Sequence, residues 1–253
     1  MPYKPKPDIT AVLNAHREGS ILYPAIASML QAIQYAEHHG LSVEMLIVLD
    51  QADAITEDFV KHNCPLNSRI EHIEPGDLSK ARNYAISQAR GSYIAFLDGD
   101  DLWCQSWLIA AFIEAKNNCS PTIYHPEVDI YFGSEDLLVF RRDMCDPEFN
   151  LQFLNITTYW SALSFAHSEI YQKFSYQPND LESGFGYEDW QWNCETISSG
   201  ILHMVVPGTA HFIRRKTQSS LEFKTRSAEC LMTPSNLFNR SVNTIEFHNA
   251  KAP

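Results

Sequence analysis

The stretch "YIAFLDGDDLW", Tyr93 to Trp103, runs through apolar, strand-forming residues into three carboxylates, Asp98, Asp100 and Asp101. Packing like charges together is unfavourable unless something positive sits among them. Hard oxygen donors suit Mg2+ or Mn2+, and such an ion can in turn hold phosphate oxygens. The same letters also make a good solvated turn, since Asp and Gly dominate turns. A phosphatase with an Asp-x-Asp after its first strand is a weaker reading, because this motif ends the fourth strand and a third Asp follows. A second acidic pair, Glu188 and Asp189, stands in "GFGYEDWQWN". Two acids at a helix start complement the helix dipole. Basic side chains that could meet anions are Arg82, Arg214 and Lys216, although such residues also make solvated faces.

The elements that carry these residues follow a clear order. "ITAVLNA" (Ile9–Ala15) reads as a buried strand, and Leu22, Ile26, Met29, Leu30 and Ile33 recur at helical spacing behind it. Pro24 suits that helix's first turn. "VEMLIVL" is a second strand, Ala54–His62 a short helix and "RIEHIE" a third strand. Asp77 can cap the next helix, and Gly91 is expected to end it in a left-handed conformation. "SYIAFLD" and a helix over Ser106–Asn118 complete four strand–helix units, which imply a mostly parallel sheet covered on both faces. Beyond Ser120 the rhythm changes, and "TIYHPEVDIYF", "DLLVFRR", "SALSFAHSEIYQKF" and "ILHMVVP" are expected to extend the sheet with antiparallel strands. "YEDWQWNCETISSG" reads as a helix ended by Gly200. Ligands of open α/β sheets bind at the carboxyl ends of the strands. Asp98 ends the fourth strand, Asp50 ends the second, and Asn14 and Glu18 close the first. Polar groups from three strands therefore converge on one rim. Residues 1–224 are expected to form a single domain, and 225–253 a tail that packs on the body or on a partner.

Composition narrows the function. Of 253 residues 45% are hydrophobic, enough for a sizeable core. The 31 acidic and 19 basic residues give a net charge of −12, and no basic patch of the kind a nucleic-acid binder needs is present. "VEMLIVL" is strand length and too short to span a bilayer. The opening "MPYKPKPDIT" has lysines but no apolar run behind them, so no signal peptide is expected. The six cysteines form no CxxC pair and are expected as reduced thiols.

Five ordered stretches resemble the family 2 glycosyltransferases, whose nucleotide-sugar-binding α/β fold is called GT-A. They are "AVLNAHREGSILYPAIASML", "IVLD", "LSKARNYAISQARGSYIAFLDGDDLW", "GFGYEDWQWN" and "HFIRRKTQSSL", spanning Ile9 to Leu221. Where the family often has "DDGSTD" after the second strand, this chain reads "DQADAIT". The resemblance implies an inverting transfer of sugar from a nucleoside-diphosphate sugar, a UDP-sugar first among them, to a saccharide or lipid-linked acceptor. It implies that Asn14, Glu18, Asp50, Arg82, Asp98, Arg214 and Lys216 bind the nucleotide. Asp98 and Asp100 would hold Mn2+ or Mg2+, with His211 as a third ligand although it precedes Arg214 rather than following it. Asp101 would cap the next helix or support the ligands. Asp189 would be the base that takes the acceptor's proton, and Glu188 would orient acceptor hydroxyls. Tyr187, Trp190 and Trp192 offer flat surfaces for a sugar ring. The implied setting is the bacterial cytoplasm, at the inner face of the membrane, in surface polysaccharide synthesis. A homodimer is compatible with all of this. Two other readings are a metal-dependent phosphohydrolase and a catalytically silent sugar-nucleotide-binding subunit.

Overall fold

Strand alternation sorts the core into two layers. The computed structural model describes residues 5–217 and 220–238. In β1 (Ile9–Ala15), Ile9, Ala11, Leu13 and Ala15 face one layer and Val12 the other. β2 (Val43–Asp50) divides in the same way, with Met45, Ile47 and Leu49 opposite Leu46 and Val48. This is the period-two pattern of strands buried on both faces. Helix α1 (Leu22–His38) covers the first face, and α2 (Ala54–Asn63) packs beside it. β3 (Arg69–Ile73) leads to α3 (Leu78–Gln88), which covers the second face through Ala81 and Ala85. β4 (Tyr93–Asp98) completes the four parallel strands, and a two-residue strand, β5 (Leu102–Trp103), precedes α4 (Trp107–Asn117).

The second half extends the sheet. β6 (Thr122–Gly133) turns back into β7 (Leu137–Phe140), its antiparallel neighbour. β8 (Phe165–His167) runs antiparallel between β4 and β6 and feeds α5 (Ser168–Lys173). β9 (Phe185–Gly186) precedes α6 (Glu188–Ser198). β10 (Leu202–Arg215) lies parallel to β6 and antiparallel to β5. The order is β3-β2-β1-β4-β8-β6-β10-β5, a mixed, mostly parallel sheet flanked by helices in one domain. No helix among the described residues is long and apolar enough to cross a membrane. All six cysteines are free.

Two expectations are corrected. Gly91 does not end α3 in a left-handed conformation. The helix stops at Gln88, and a Cβ on Gly91 would lie 2.3 Å from the Thr10 nitrogen, so the glycine is needed for close approach to β1. β10 does not stop at Pro207. The strand shifts register between Val206 and Ala210 and continues to Arg215, so the first five residues of "HFIRRKTQSSL" are strand. Beyond residue 224, α7 (Leu221–Ser227) leads to β11 (Leu231–Met232), which pairs with β9, and Leu237 is buried beside α6. Residues 239–253 of the expected tail lie outside the described residues.

Candidate active site

The carboxyl ends of β1, β2 and β4 open into a cleft of about 630 Å³. Parallel pairing sets Asn14 directly beside Asp98, so the ends of β1 and β4 meet in register. Both amide atoms of Asn14 are buried without a protein partner and line the cleft. Buried polar atoms are nearly always paired, so Asn14 is poised for a ligand or water. Glu18 accepts the His16 backbone N–H at 2.6 Å, and burial raises its pKa. Asp50, at the end of β2, accepts the backbone N–H groups of Gly76 and Asp77 at 2.8 and 3.0 Å. Gly76 needs φ of +62° for that loop, and a Cβ there would come within 2.8 Å of the Gln51 amide. Asp50 thus ties the loop before α3 to the rim, and each oxygen keeps a lone pair for a ligand. Asp53 caps α2 by accepting from Thr56.

Arg82 joins the two acidic motifs. It projects from α3 and is 1% exposed. Nη2 donates to Asp98 at 3.0 Å, and Nη1 donates to Glu188 at 2.8 Å. Burial works against the guanidinium charge, but Asp98 and Glu188 outweigh it and raise the Arg82 pKa. Charge-assisted bonds at both ends of one planar fork fix the distance between the strand end and α6. Tyr187 enters α6 with φ of +61°, a left-handed conformation that a bulky residue holds only under constraint. The helix then opens on Glu188, which is buried, and Asp189, which lines the cleft. Burial first, and the neighbouring Glu188 second, push the Asp189 pKa up to about 6. A carboxylate near that value is suited to accept a proton at neutral pH.

Asp101 has a role other than capping. Its carboxylate is buried and accepts the Arg214 backbone N–H at 2.7 Å, which fastens the end of β10 to the turn after β4. The Arg214 Nε donates to the Asp100 carbonyl at 3.2 Å, and the Lys216 ammonium pairs with the Asp100 carboxylate. His211 is corrected as a metal ligand. It is fully buried in mid-β10, paired in register with Trp103 and Asp129, and packs edge-on against Trp107 at 4.5 Å, outside the cleft lining. Burial lowers its pKa to about 3. Among the described residues no three His, Cys, Asp or Glu side chains are grouped to cage a metal. Asp98 and Asp100 both line the cleft, and their carboxylates are hard oxygen donors of the kind a Mg2+ or Mn2+ ion would accept.

A family model for glycosyl transferase family 2 matches residues 10–174. The chain belongs to glycosyl transferase family 2. It is 39% identical over 69 residues, 27% of its length, to EpsJ of Bacillus subtilis, described as an uncharacterized glycosyltransferase. It is 38% identical over 63 residues, 24% of its length, to TuaG of the same organism, whose name assigns it to teichuronic acid biosynthesis. These matches span only 20% and 25% of the two relatives. Among solved structures, S. aureus TarS 1–349 in complex with UDP-GlcNAc has a TM-score of 0.62 at 15% identity, over 97% of this chain and 68% of that one. TarS 1–349 without that ligand gives 0.60 at 16%, over 82% and 60%. The shared fold is the GT-A glycosyltransferase fold.

The family 2 match covers Asn14, Glu18, Asp50, Arg82, Asp98 and Asp100, but ends before Glu188, Asp189, Arg214 and Lys216. The second group reaches the same cleft through Arg82 and Asp101. Trp192 does not line this glycosyltransferase cleft. It is 1% exposed, stacks between Tyr171 and Tyr176, and donates to the Phe174 carbonyl. Trp190 donates to the Leu154 carbonyl and borders the cleft beside Tyr187. The sequence reading missed Tyr131, Arg141, Trp160 and Arg215, which also line the cleft. Arg141 donates to Asp129 at 2.6 Å and to the Tyr131 hydroxyl, and Arg215 lies 4.3 Å over the Tyr131 ring. The pairing of "VDIYF" with "LLVF" sets Arg141 across from Glu127, one residue on from Val128 opposite Phe140, and no local sequence signal reports that register.

Proposed function

We propose that this protein is a metal-dependent inverting glycosyltransferase of surface polysaccharide synthesis, using a nucleoside-diphosphate sugar, with a UDP-sugar as the first choice. The carrying observation is the buried Arg82 guanidinium, which sets Asp98 at the donor rim against Glu188 beside Asp189. The UDP-GlcNAc complex of TarS supports the donor class, and the name of TuaG supports the polysaccharide setting. The acceptor is a saccharide or a lipid-linked saccharide, and the work is done in the cytoplasm at the inner membrane face.

Asp98 and Asp100 hold the cation, which supplies Lewis-acid neutralisation of the diphosphate when bound. Asn14, Glu18 and Asp50 border the nucleoside. Lys216 exchanges its Asp100 partner for a phosphate oxygen, and Arg214 meets the same group from β10. Asp189 accepts the proton of the acceptor hydroxyl as that oxygen bonds to the anomeric carbon. The bond to the diphosphate oxygen breaks, and the electron pair leaves with the nucleoside diphosphate. Attack from the face opposite the leaving group inverts the anomeric centre. Glu188, held by Arg82, keeps Asp189 at the required distance.

A thermal-shift panel of nucleotide sugars with and without Mn2+ tests the assignment, because a ligand that binds only the folded state raises its apparent stability. The expected result is a rise with one UDP-sugar and Mn2+ together that exceeds either alone. Release of phosphate from small phosphoesters without an acceptor would favour the phosphohydrolase. Donor binding without any turnover would favour the silent subunit.

A further inference from the structure

The β6–β7 hairpin leaves one sheet edge with unusual chemistry. β7 is Leu-Leu-Val-Phe, with no charge, proline or glycine. Leu137, Leu138 and Phe140 are 52%, 54% and 71% exposed. Natural edges are normally blunted by charges, proline or bulges, because an open edge is a template for another strand. Antiparallel pairing with β6 fixes which backbone groups remain open. The Arg141 N–H donates to the Glu127 carbonyl at 2.7 Å. Bonded and non-bonded positions alternate along such a ladder. Leu137 and Val139 therefore share the bonded parity of Arg141, while Leu138 and Phe140 turn N–H and C=O away from β6. Among the described residues nothing pairs with that outer edge.

We propose that β7 pairs with β7 of a second copy of this chain, antiparallel about a twofold axis at Val139. Parity allows a twofold at Leu138, Val139 or Phe140, and the one at Val139 alone sets Leu138 of each copy against Phe140 of the other, so that both outward residues of each β7 exchange bonds within the strand. The flanking sequence then matches itself. "ED" precedes the strand and "RR" follows it, so Asp136 of each copy stands opposite Arg142 of the other. Asp136 is exposed, and Arg142 is half-exposed on Asp146 and Glu148 with donors to share. Leu138 and Phe140 cover each other on one face, a favourable cross-strand pair. Glu135 and Asp136, in a chain of net charge −12, make an anionic lipid surface the poorer partner for this edge. The pairing joins two sheets and is closed by its symmetry, so no larger assembly is expected. It also braces the hairpin that carries Tyr131 and Arg141 into the cleft.

Sedimentation equilibrium of the full chain under reducing conditions tests the proposal. One strand pair is small among specific interfaces, so the expected result is a weak, concentration-dependent dimer without higher species. Leu138→Pro removes an outward N–H that β6 does not use. It should weaken the dimer by about tenfold or more, equivalent to at least one lost interaction on the affinity scale, with melting retained. Val139→Cys, with Cys119 and Cys145 changed to Ser, should cross-link to itself on oxidation. Non-bonded antiparallel pairs bring Cα atoms to about 4.5 Å, within disulfide reach. Leu137→Cys in the same background faces Arg141 of the other copy and should not cross-link. A monomer at every concentration overturns the proposal. So does a dimer that Leu138→Pro leaves intact, or one in which Leu137→Cys cross-links and Val139→Cys does not. Binding of the monomeric chain to phosphatidylglycerol vesicles, lost in Phe140→Lys, would assign the edge to a membrane instead.

Discussion

Replacing Arg82 should damage stability and chemistry in separable ways. Arg82→Met removes a guanidinium that is 1% exposed and bonded to Asp98 and Glu188. Breaking a buried ion pair from one side leaves uncompensated charge and costs about 3–5 kcal/mol. At roughly 2–4 °C per kcal/mol for a chain of this size, the melting temperature should fall by about 6–20 °C. Arg82→Lys keeps the charge, but one ammonium cannot reproduce a fork that reaches two carboxylates. It should lose about one charge-assisted bond, roughly 1.5–3 kcal/mol, or about 10- to 100-fold in turnover when that bond positions the base. The decisive readout is the pH profile of transfer or of slow donor hydrolysis. Arg82 holds down the Asp189 pKa, which burial and Glu188 raise to about 6. Losing the Arg82 charge should move the acidic limb of the profile to higher pH in Arg82→Met, while Arg82→Lys leaves it near the parent. Turnover, melting and acidic limb all unchanged in Arg82→Met would refute the bridging role.

Other outcomes follow from the same geometry. Asp100→Ala should weaken Mn2+-dependent nucleoside diphosphate binding by roughly 10- to 100-fold by calorimetry, and unchanged binding would remove Asp100 from the cation site. Asp50→Ala should raise the donor KM with kcat nearly constant. It should also lower stability by about 1–3 kcal/mol in denaturant melts, because the Gly76 and Asp77 amides lose their acceptor. Gly91→Ala should destabilise by about 1–3 kcal/mol or more, since the added methyl meets the Thr10 backbone. A melt equal to the parent would show that β1 and the α3–β4 loop can part freely.

The first half was legible because β1, β2 and β4 are buried on both faces and most of its punctuation is local, Gly91 excepted. The apolar runs of β1, β2 and β4 differ in type from the helices between them, and Asp77 caps α3 by accepting from Lys80 as its position suggested. The second half was harder because its elements are defined by distant partners. Nothing local says that β10 crosses Pro207 and Gly208, since its continuity depends on eleven register pairs with β6. The acidic motifs were legible as motifs, but the Arg82 bridge spans 106 residues and no spacing rule reports it. His211 misled for a related reason. The family resemblance implies a histidine ligand in the late segment and His211 is the nearest one, but strand alternation and the α4 contact take it into the core. Arg141 was invisible because its partners, Asp129 and Tyr131, are chosen by a hairpin register.

The anomeric configuration of the first-formed product tests the role of Asp189 as the base. With water standing in for the unknown acceptor, slow hydrolysis of the UDP-sugar can be followed by proton NMR before the free sugar equilibrates. The inverted anomer is the expected product. The rate should rise with pH through about 6, because Asp189 must lose its proton to act as base. Asp189→Asn should lower that rate by about 10²- to 10⁴-fold with donor binding retained, and Glu188→Gln should do less. A product of retained configuration, or an Asp189→Asn variant with the parent's rate, would rule out Asp189 as the base of an inverting transfer.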